Sequence, residues 1–190
     1  MTQKEILRNE IKKRLKDTTP EDFRCQGDSA AALLKTLQIW ASYKTIFIFL
    51  SMKGEIETQS ILEAALSDGK KVFAPKTEAD RLVFYPVLST HGPWHEGPFG
   101  IKEPSGGIPA STEDFPALIL TPGLAFDKEK RRMGRGKGYY DRFFAELDSE
   151  SREYCALGLC MDFQFVEKVP VDEFDKKVNC LLTGGCHMLF

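Results

Sequence analysis

A chain of 190 residues, 42% apolar and 28% charged, has the proportions of an ordinary soluble globular protein and enough length for one domain, 1–190, with a full core. Its 26 basic and 28 acidic residues leave a net charge of −2, but residues 1–16 hold six basic against two acidic residues and residues 127–142 seven against three. Each stretch therefore carries +4 and the remainder −10, a pattern that suits a local anionic ligand and argues against a surface that coats nucleic acid. In chain order, residues 3–16 read as an amphipathic helix, with Leu7, Ile11 and Leu15 on one stripe and Lys4, Arg8 and Lys12 on a parallel basic stripe. Thr18-Thr19-Pro20 ends this helix or opens the next, and a second helical segment is predicted from Asp28 to Trp40. Thr45 to Leu50 is a β-branched and aromatic run and reads as a buried strand. A helix follows from Thr58 to Leu66, stopped by Asp68-Gly69, then short strands at Val72–Pro75 and Leu82–Val87, the latter ended or edged by Pro86. Residues 89–116 are rich in Gly, Pro and Ser and read as a long irregular excursion. Strands at 117–121, 154–159 and 179–183 and a helix from Tyr139 to Leu147 complete the pattern.

Strands alternating with helices predict an α/β fold, three-layered and Rossmann-like, with a mainly parallel twisted sheet covered by helices on both faces. The last two strands lack a clear helix between them, so mixed or antiparallel character is expected there. The pure apolar run Ile46 to Leu50, which none in the chain exceeds, is too short to span a bilayer. The N-terminus is charged from Lys4 onward and does not read as a signal peptide. The five cysteines, Cys25, Cys155, Cys160, Cys180 and Cys186, are odd in number and include no Cys-x-x-Cys pair, which suits reduced thiols in the cytoplasm. His91 and His95 have helical metal spacing, but Gly92 and Pro93 forbid a helix there.

The most telling segment is 131–142, Arg-Arg-Met-Gly-Arg-Gly-Lys-Gly-Tyr-Tyr-Asp-Arg. Gly134, Gly136 and Gly138 alternate with Arg135 and Lys137 between a buried strand and a helix start. Glycines let the backbone approach a ligand, successive N–H groups form an anion nest, and the helix N-terminus adds a favourable dipole. The segment follows neither the Walker pattern nor Gly-x-Gly-x-x-Gly. A phosphate grip and a plain basic turn both remain open on the loop alone.

Pro122-Gly123-Leu124-Ala125-Phe126-Asp127, followed by Arg132-Met133-Gly134-Arg135-Gly136-Lys137-Gly138-Tyr139-Tyr140-Asp141, resembles the signature of the 5-formyltetrahydrofolate cyclo-ligase family, also called methenyltetrahydrofolate synthetases. Further elements resemble that family in the same order: Lys4 and Arg8, Leu50-Ser51-Met52 with Glu55-Ile56-Glu57-Thr58, Gly69-Lys70-Lys71-Val72 with Pro75, Phe99-Gly100-Ile101-Lys102-Glu103-Pro104, and Pro170-x-x-Glu173-x-Asp175. Two departures stand out. Lys130 occupies a position usually held by Gly, and Asn179 one where Asp is common. If the turn at Lys130 is left-handed, the lysine costs roughly 1 kcal/mol.

The resemblance implies conversion of 5-formyltetrahydrofolate to 5,10-methenyltetrahydrofolate, with ATP as co-substrate, Mg²⁺, and release of ADP and phosphate. In the implied route the formyl oxygen attacks the γ-phosphate, N10 attacks the resulting iminium phosphate, and phosphate departs. The resemblance assigns the triphosphate to Arg132, Arg135, Lys137 and the Gly134, Gly136 and Gly138 backbone, approached from the other side by Lys4 and Arg8. Without a ligand those two would be an ordinary solvated helix face. Asp141 and Glu173 match the Mg²⁺ positions, and Leu50, Met52 and Glu55 the folate loop. Arg135, Lys137 and Tyr139 are the implied catalytic groups, with Tyr139 near the formyl group. Tyr140 either contacts the nucleotide or packs under the loop, and Phe99 either flanks the folate tail or is a core aromatic. The expected partners are small molecules, with no nucleic acid and no membrane, and the chain is expected to be a monomer. A non-catalytic folate- or nucleotide-binding relative, and a different α/β enzyme for a phosphorylated small molecule, are the rival readings.

Overall fold

The computed structural model describes residues 1–97, 100, 102–185 and 187–190. Phe99, expected to flank a folate tail, and Cys186 lie outside the described residues.

The chain opens with helix α1 (Gln3–Asp17), which starts where the Thr2 hydroxyl accepts the Glu5 N–H and the Glu5 carboxylate accepts the Thr2 N–H. This reciprocal cap satisfies two donors that a helix start otherwise leaves unpaired. Helix α2 (Pro20–Thr36) begins the same way, through Thr19 and Asp22 with Pro20 in the first turn. Thr18-Thr19-Pro20 thus closes one helix and opens the next. The predicted Asp28–Trp40 segment starts eight residues earlier and breaks at Leu37, where an extended backbone separates α2 from the short α3 (Gln38–Ser42).

Strand β1 (Thr45–Phe47) leads through helix α4 (Gln59–Ser67) to β2 (Lys71–Glu78), which turns back into β3 (Arg81–Pro86). The region expected to be irregular contains a small hairpin, β4 (Trp94–Glu96) with β5 (Lys102–Pro104), and a 3-10 turn at Thr112–Asp114. Buried Glu103 fixes the hairpin to β2, accepting the Thr77 N–H at 3.0 Å and lying 3.2 Å from His95 Nε2. Strand β6 (Ala117–Thr121) is followed by a second small hairpin, β7 (Ala125–Phe126) with β8 (Arg132–Met133). Helix α5 (Tyr139–Ser149), β9 (Tyr154–Cys160), β10 (Cys180–Thr183) and β11 (Met188–Leu189) follow.

The main sheet has seven strands in the order β11-β10-β9-β6-β1-β2-β3. The five from β10 to β2 run parallel, and only the edges β3 and β11 are antiparallel. The mixed character expected around the last strands lies at the edge, where β10 pairs antiparallel with β11. β9 and β10 themselves pair in parallel, and Phe126 of the β7–β8 hairpin packs with Ala156 and Leu181 on one face of that pair. Phe126 packs against the bare backbone of Gly158 on β9, where an added Cβ would sit 2.7 Å from the ring.

Alternate residues of each strand face opposite layers, as the pleat requires. Ile46, Ile48, Leu118, Leu120, Leu157, Leu159 and Leu182 pack with α2, α3 and α4. Phe47, Phe73, Ile119, Ala156 and Leu181 pack with Phe143, Phe144 and Leu147 of α5. Helix α1 does not join either layer. Ile11 and Leu15 pack on Leu124, Ala125, Met133 and Val169, so the first helix lies over the β7–β8 hairpin.

Candidate functional site

β1 and β6 are neighbours in the sheet, yet their connections leave for opposite faces: β1 continues to α4 in one layer and β6 to α5 in the other. Such a divergence opens a crevice beyond the carboxyl ends of the strands, the usual ligand position in an open α/β sheet. The 51–57 loop after β1 and the 122–138 segment after β6 meet there, through Arg135 on Glu55 and Gly54.

The 51–57 loop is held from within. Ser51 Oγ donates to the Ile56 carbonyl at 2.7 Å and accepts the Thr58 N–H at 2.9 Å, and Thr58 Oγ1 donates to the Phe49 carbonyl at 2.8 Å. Glu55 Oε2 accepts the Met52 N–H at 3.2 Å. Burial pushes the Glu55 carboxyl above its ordinary range, against the opposing pull of Arg135. Leu50 packs partly buried against the core, and Met52 is half-buried at the loop's start.

The basic loop takes the shape its glycines allow. Gly136 and Gly138 adopt φ of +107° and +67°, a region that L side chains rarely enter, and Gly138 is the residue from which α5 departs. Arg135 crosses the crevice: its Nε lies 3.2 Å from Glu55 Oε1 and its Nη2 3.3 Å from the Gly54 carbonyl. Lys137 is exposed. Arg8 reaches in from α1, donating from Nε to the Gly134 carbonyl at 3.3 Å. Arg142 braces the loop from the far side, with Nη1 on the Lys137 carbonyl at 2.9 Å, Nη2 on the Asp80 carbonyl at 2.6 Å, and its guanidinium over the Tyr139 ring at 5.2 Å.

Several expected residues take positions the sequence did not specify. Arg132 is buried, with Nη2 on Asp141 Oδ1 at 2.6 Å and Nη1 on the Pro122 carbonyl at 3.4 Å. Asp141 also accepts the Lys176 N–H at 3.1 Å, which ties the 172–176 turn to the start of α5. Lys4 pairs with Asp172 at 2.6 Å and with Asp175 in that same turn, while Glu173 is exposed. Tyr140 is buried beneath the Arg132 guanidinium, 5.8 Å from its ring centroid, and burial raises its phenol above the ordinary range. His95 pairs with Glu103 and His91 with Thr90.

The sequence reading assigned no role to Asp127, which anchors the start of the basic loop. The fully buried carboxylate accepts N–H groups from Glu129, Arg131 and Val169, at 3.0, 3.1 and 2.7 Å, and pairs with Arg131 Nε at 2.6 Å. Burial alone would raise its pKa, but these donors outweigh burial and hold the carboxyl below the ordinary range. Lys130, at φ +61°, occupies the left-handed turn that Asp127 encloses. Buried Gln164 similarly pins the strand exit, donating to the Gly123 and Leu124 carbonyls at 2.9 and 3.1 Å. An Asp two and four residues before the N–H groups it accepts is a local turn signal, whereas nothing local marks Gln164.

Residues 1–184 match the 5-formyltetrahydrofolate cyclo-ligase family. The chain belongs to this family. Among its cyclo-ligase relatives, a mouse 5-formyltetrahydrofolate cyclo-ligase is 32% identical, over 93% of this chain and 91% of its own length. One from Saccharomyces cerevisiae is 28% identical over 97% and 96%. The solved structure of Aquifex aeolicus 5,10-methenyltetrahydrofolate synthetase superposes with a TM-score of 0.83 at 30% identity, covering 99% of this chain and 92% of that one.

Among the described residues no group of three or more His, Cys, Asp or Glu is placed to hold a metal ion. Mg²⁺ needs only one or two carboxylates when phosphate oxygens and water complete its shell; of the two carboxylates expected to hold it, Asp141 has Oδ1 on Arg132 and the Lys176 N–H, and Glu173 is exposed. Among the described residues no helix is long and apolar enough to cross a membrane. The four described cysteines are free.

Proposed function

We propose that this chain converts 5-formyltetrahydrofolate to 5,10-methenyltetrahydrofolate with ATP, releasing ADP and phosphate. The observation that carries the reading is the contact between Arg135 of the Gly-rich loop and Glu55 of the 51–57 loop. It brings a phosphate-type loop and a carboxylate loop to one crevice, where a transferred phosphoryl group and a pterin must meet.

A formyl amide is a weak electrophile with a poor leaving group. Phosphorylating the formyl oxygen corrects both, and the protein's task is then to position two anionic molecules and neutralise charge. The Gly134–Gly138 backbone, Arg135 and Lys137 receive the triphosphate, assisted by Arg8 and Lys4 from α1. Arg132 acts one step back, fixing Asp141. Asp141 and Glu173 are the groups to hold Mg²⁺, which when bound supplies charge neutralisation on the phosphates. Glu55 accepts pterin N–H groups, with Leu50 and Met52 against the ring, and Tyr139 lies toward the formyl group. Phe99 flanks the folate tail in this reading. The chain works as a cytoplasmic monomer on small molecules.

The test is a spectrophotometric assay for methenyltetrahydrofolate, with 5-formyltetrahydrofolate present and Mg-ATP added or withheld. Product is expected only with ATP and is expected to vanish in Arg135→Ala. Saturable binding of both ligands without product would favour a regulatory relative instead.

A further inference from the structure

The proposed reaction uses none of the cysteines, yet two of them touch. Cys155, the second residue of β9, and Cys180, the first of β10, bring their sulfurs to 3.7 Å. Both side chains lie on the sheet face that packs with α2, α3 and α4. Cys180 is buried and Cys155 half-buried, so the pair is reached from solvent through Cys155.

The strand register decides what the pair can do. Cys180 stands opposite Leu157, two residues beyond Cys155, so the thiols are diagonal neighbours on parallel strands. Two residues of rise against one strand spacing put their Cα atoms roughly 8 Å apart. A disulfide needs them within about 7 Å, and β9 and β10, each bonded to a strand on either side, are not free to close that gap. The sulfurs nonetheless face each other, which suits an atom placed between them. With bonds near the about 2.3 Å of zinc thiolates, a linear sulfur–metal–sulfur unit spans about 4.6 Å. From 3.7 Å the sulfurs need to part by only about 1 Å, which side-chain rotation supplies.

Among the described residues no third His, Cys, Asp or Glu joins the pair. Two sulfurs fall short of the tetrahedral shell of structural zinc. They satisfy a soft cation that is stable with two thiolates, as Cu(I) is. Charge favours the same ion. The hydrogen bond between the thiols draws Cys155 below the ordinary range and drives Cys180 above it, so without a cation the two do not ionise together. A cation between the sulfurs removes that repulsion. The resulting pair of thiolates around a monovalent ion keeps one excess negative charge, and the Lys130 ammonium, which favours the thiolate form of both, offsets it. Lys130 is kept near because its carbonyl accepts the Val178 N–H at 3.0 Å, two residues before Cys180.

We propose that Cys155 and Cys180 form a two-coordinate site for a soft monovalent cation of the Cu(I) class, at the amino ends of β9 and β10. The crevice lies at the carboxyl ends of the strands, so this site is separate from the one that takes folate and nucleotide. Binding exchanges two S–H bonds for two metal–sulfur bonds. Both protons leave to solvent, and no electron is transferred.

The experiment is anaerobic titration of the intact protein with Cu(I) held by a chromophoric chelator, on wild type, Cys155→Ser, Cys180→Ala and Cys25→Ser. Size exclusion follows the oligomeric state and circular dichroism the fold. Wild type is expected to take one Cu(I) per chain without dimerising and to gain a near-ultraviolet thiolate-to-copper band. Cys25→Ser is expected to match it. Cys155→Ser and Cys180→Ala are expected to leave the copper with the chelator and show no band. X-ray absorption on the wild-type complex, which needs no variant, is expected to find two sulfurs as copper's only ligands. Copper retained by a folded Cys155→Ser variant overturns the proposal, as do a third ligand in the absorption spectrum, binding that requires a dimer, and a wild-type protein that takes no copper.

Discussion

Lys130→Gly is expected to stabilise the protein. Lys130 stands at φ +61° in the turn between β7 and β8, where its N–H donates to the Asp127 carbonyl at 2.9 Å and its carbonyl accepts the Val178 N–H at 3.0 Å. Those bonds belong to the backbone and survive the substitution, so the turn has no freedom to relax. A non-glycine residue in the left-handed region costs about 1–2 kcal/mol. Glycine removes that cost but leaves the unfolded chain freer, which takes back about 0.4–1 kcal/mol. The net gain is about 0.5–1 kcal/mol, a rise of about 2–4 °C in melting temperature at the upper end for a chain of this size. Differential scanning calorimetry on wild type, Lys130→Gly and Lys130→Ala checks it, the alanine serving as a control that keeps the strained φ. A melting temperature that falls in the glycine variant, or rises equally in the alanine variant, would refute the backbone argument and point to the lysine side chain instead.

Other expectations concern charge and packing. Lys137→Ala should weaken use of ATP much more than folate binding, read from separate KM values; equal losses in both would remove that side chain from the phosphate site. Asp127→Asn should destabilise by about 3 kcal/mol, because it breaks the buried half of the Arg131 ion pair, leaving only half-exposed Glu129 at 3.0 Å, and weakens a carboxylate that accepts three backbone N–H groups. Since the folded state holds the Asp127 carboxyl below its ordinary range, this stabilisation is full above about pH 4 and is lost as pH falls through the folded value. Denaturant titrations of wild type and Asp127→Asn should therefore converge on acidification, and a constant gap would contradict the assignment. Gly158→Ala should cost about 1–3 kcal/mol by overpacking the Phe126 ring, which chemical denaturation would register.

The layers of the fold were legible because each central strand is a short apolar run and each helix shows its stripe. Ile11 and Leu15 are buried, as the four-residue spacing predicts, and Phe47 and Ile46 face opposite layers because the pleat alternates. The β7–β8 hairpin was not legible, since strands of two residues carry no period. At the site, the Gly-rich loop and Glu55 stand out by residue type, but side-chain direction does not. Arg132 and Arg135 read alike in sequence. One is turned inward to Asp141 and the other outward to Glu55, a difference set by the strand position of Arg132 and the loop position of Arg135.

The seat of α1 has a consequence for how the chain is made. The buried residues that pack with Ile11 and Leu15 are Leu124, Ala125, Met133 and Val169, all more than a hundred positions downstream, and of the partly buried residues joining them only Leu7 and Phe23 are near in sequence. During synthesis the first helix therefore emerges with its apolar stripe largely uncovered, and it must wait for nearly the whole polypeptide before it can dock. Arg8 cannot reach the Gly134 carbonyl until then, so the crevice gains its second wall among the last events of assembly. A ribosome-bound chain arrested before Val169 should lose its first seventeen residues to a protease that spares them in the finished protein.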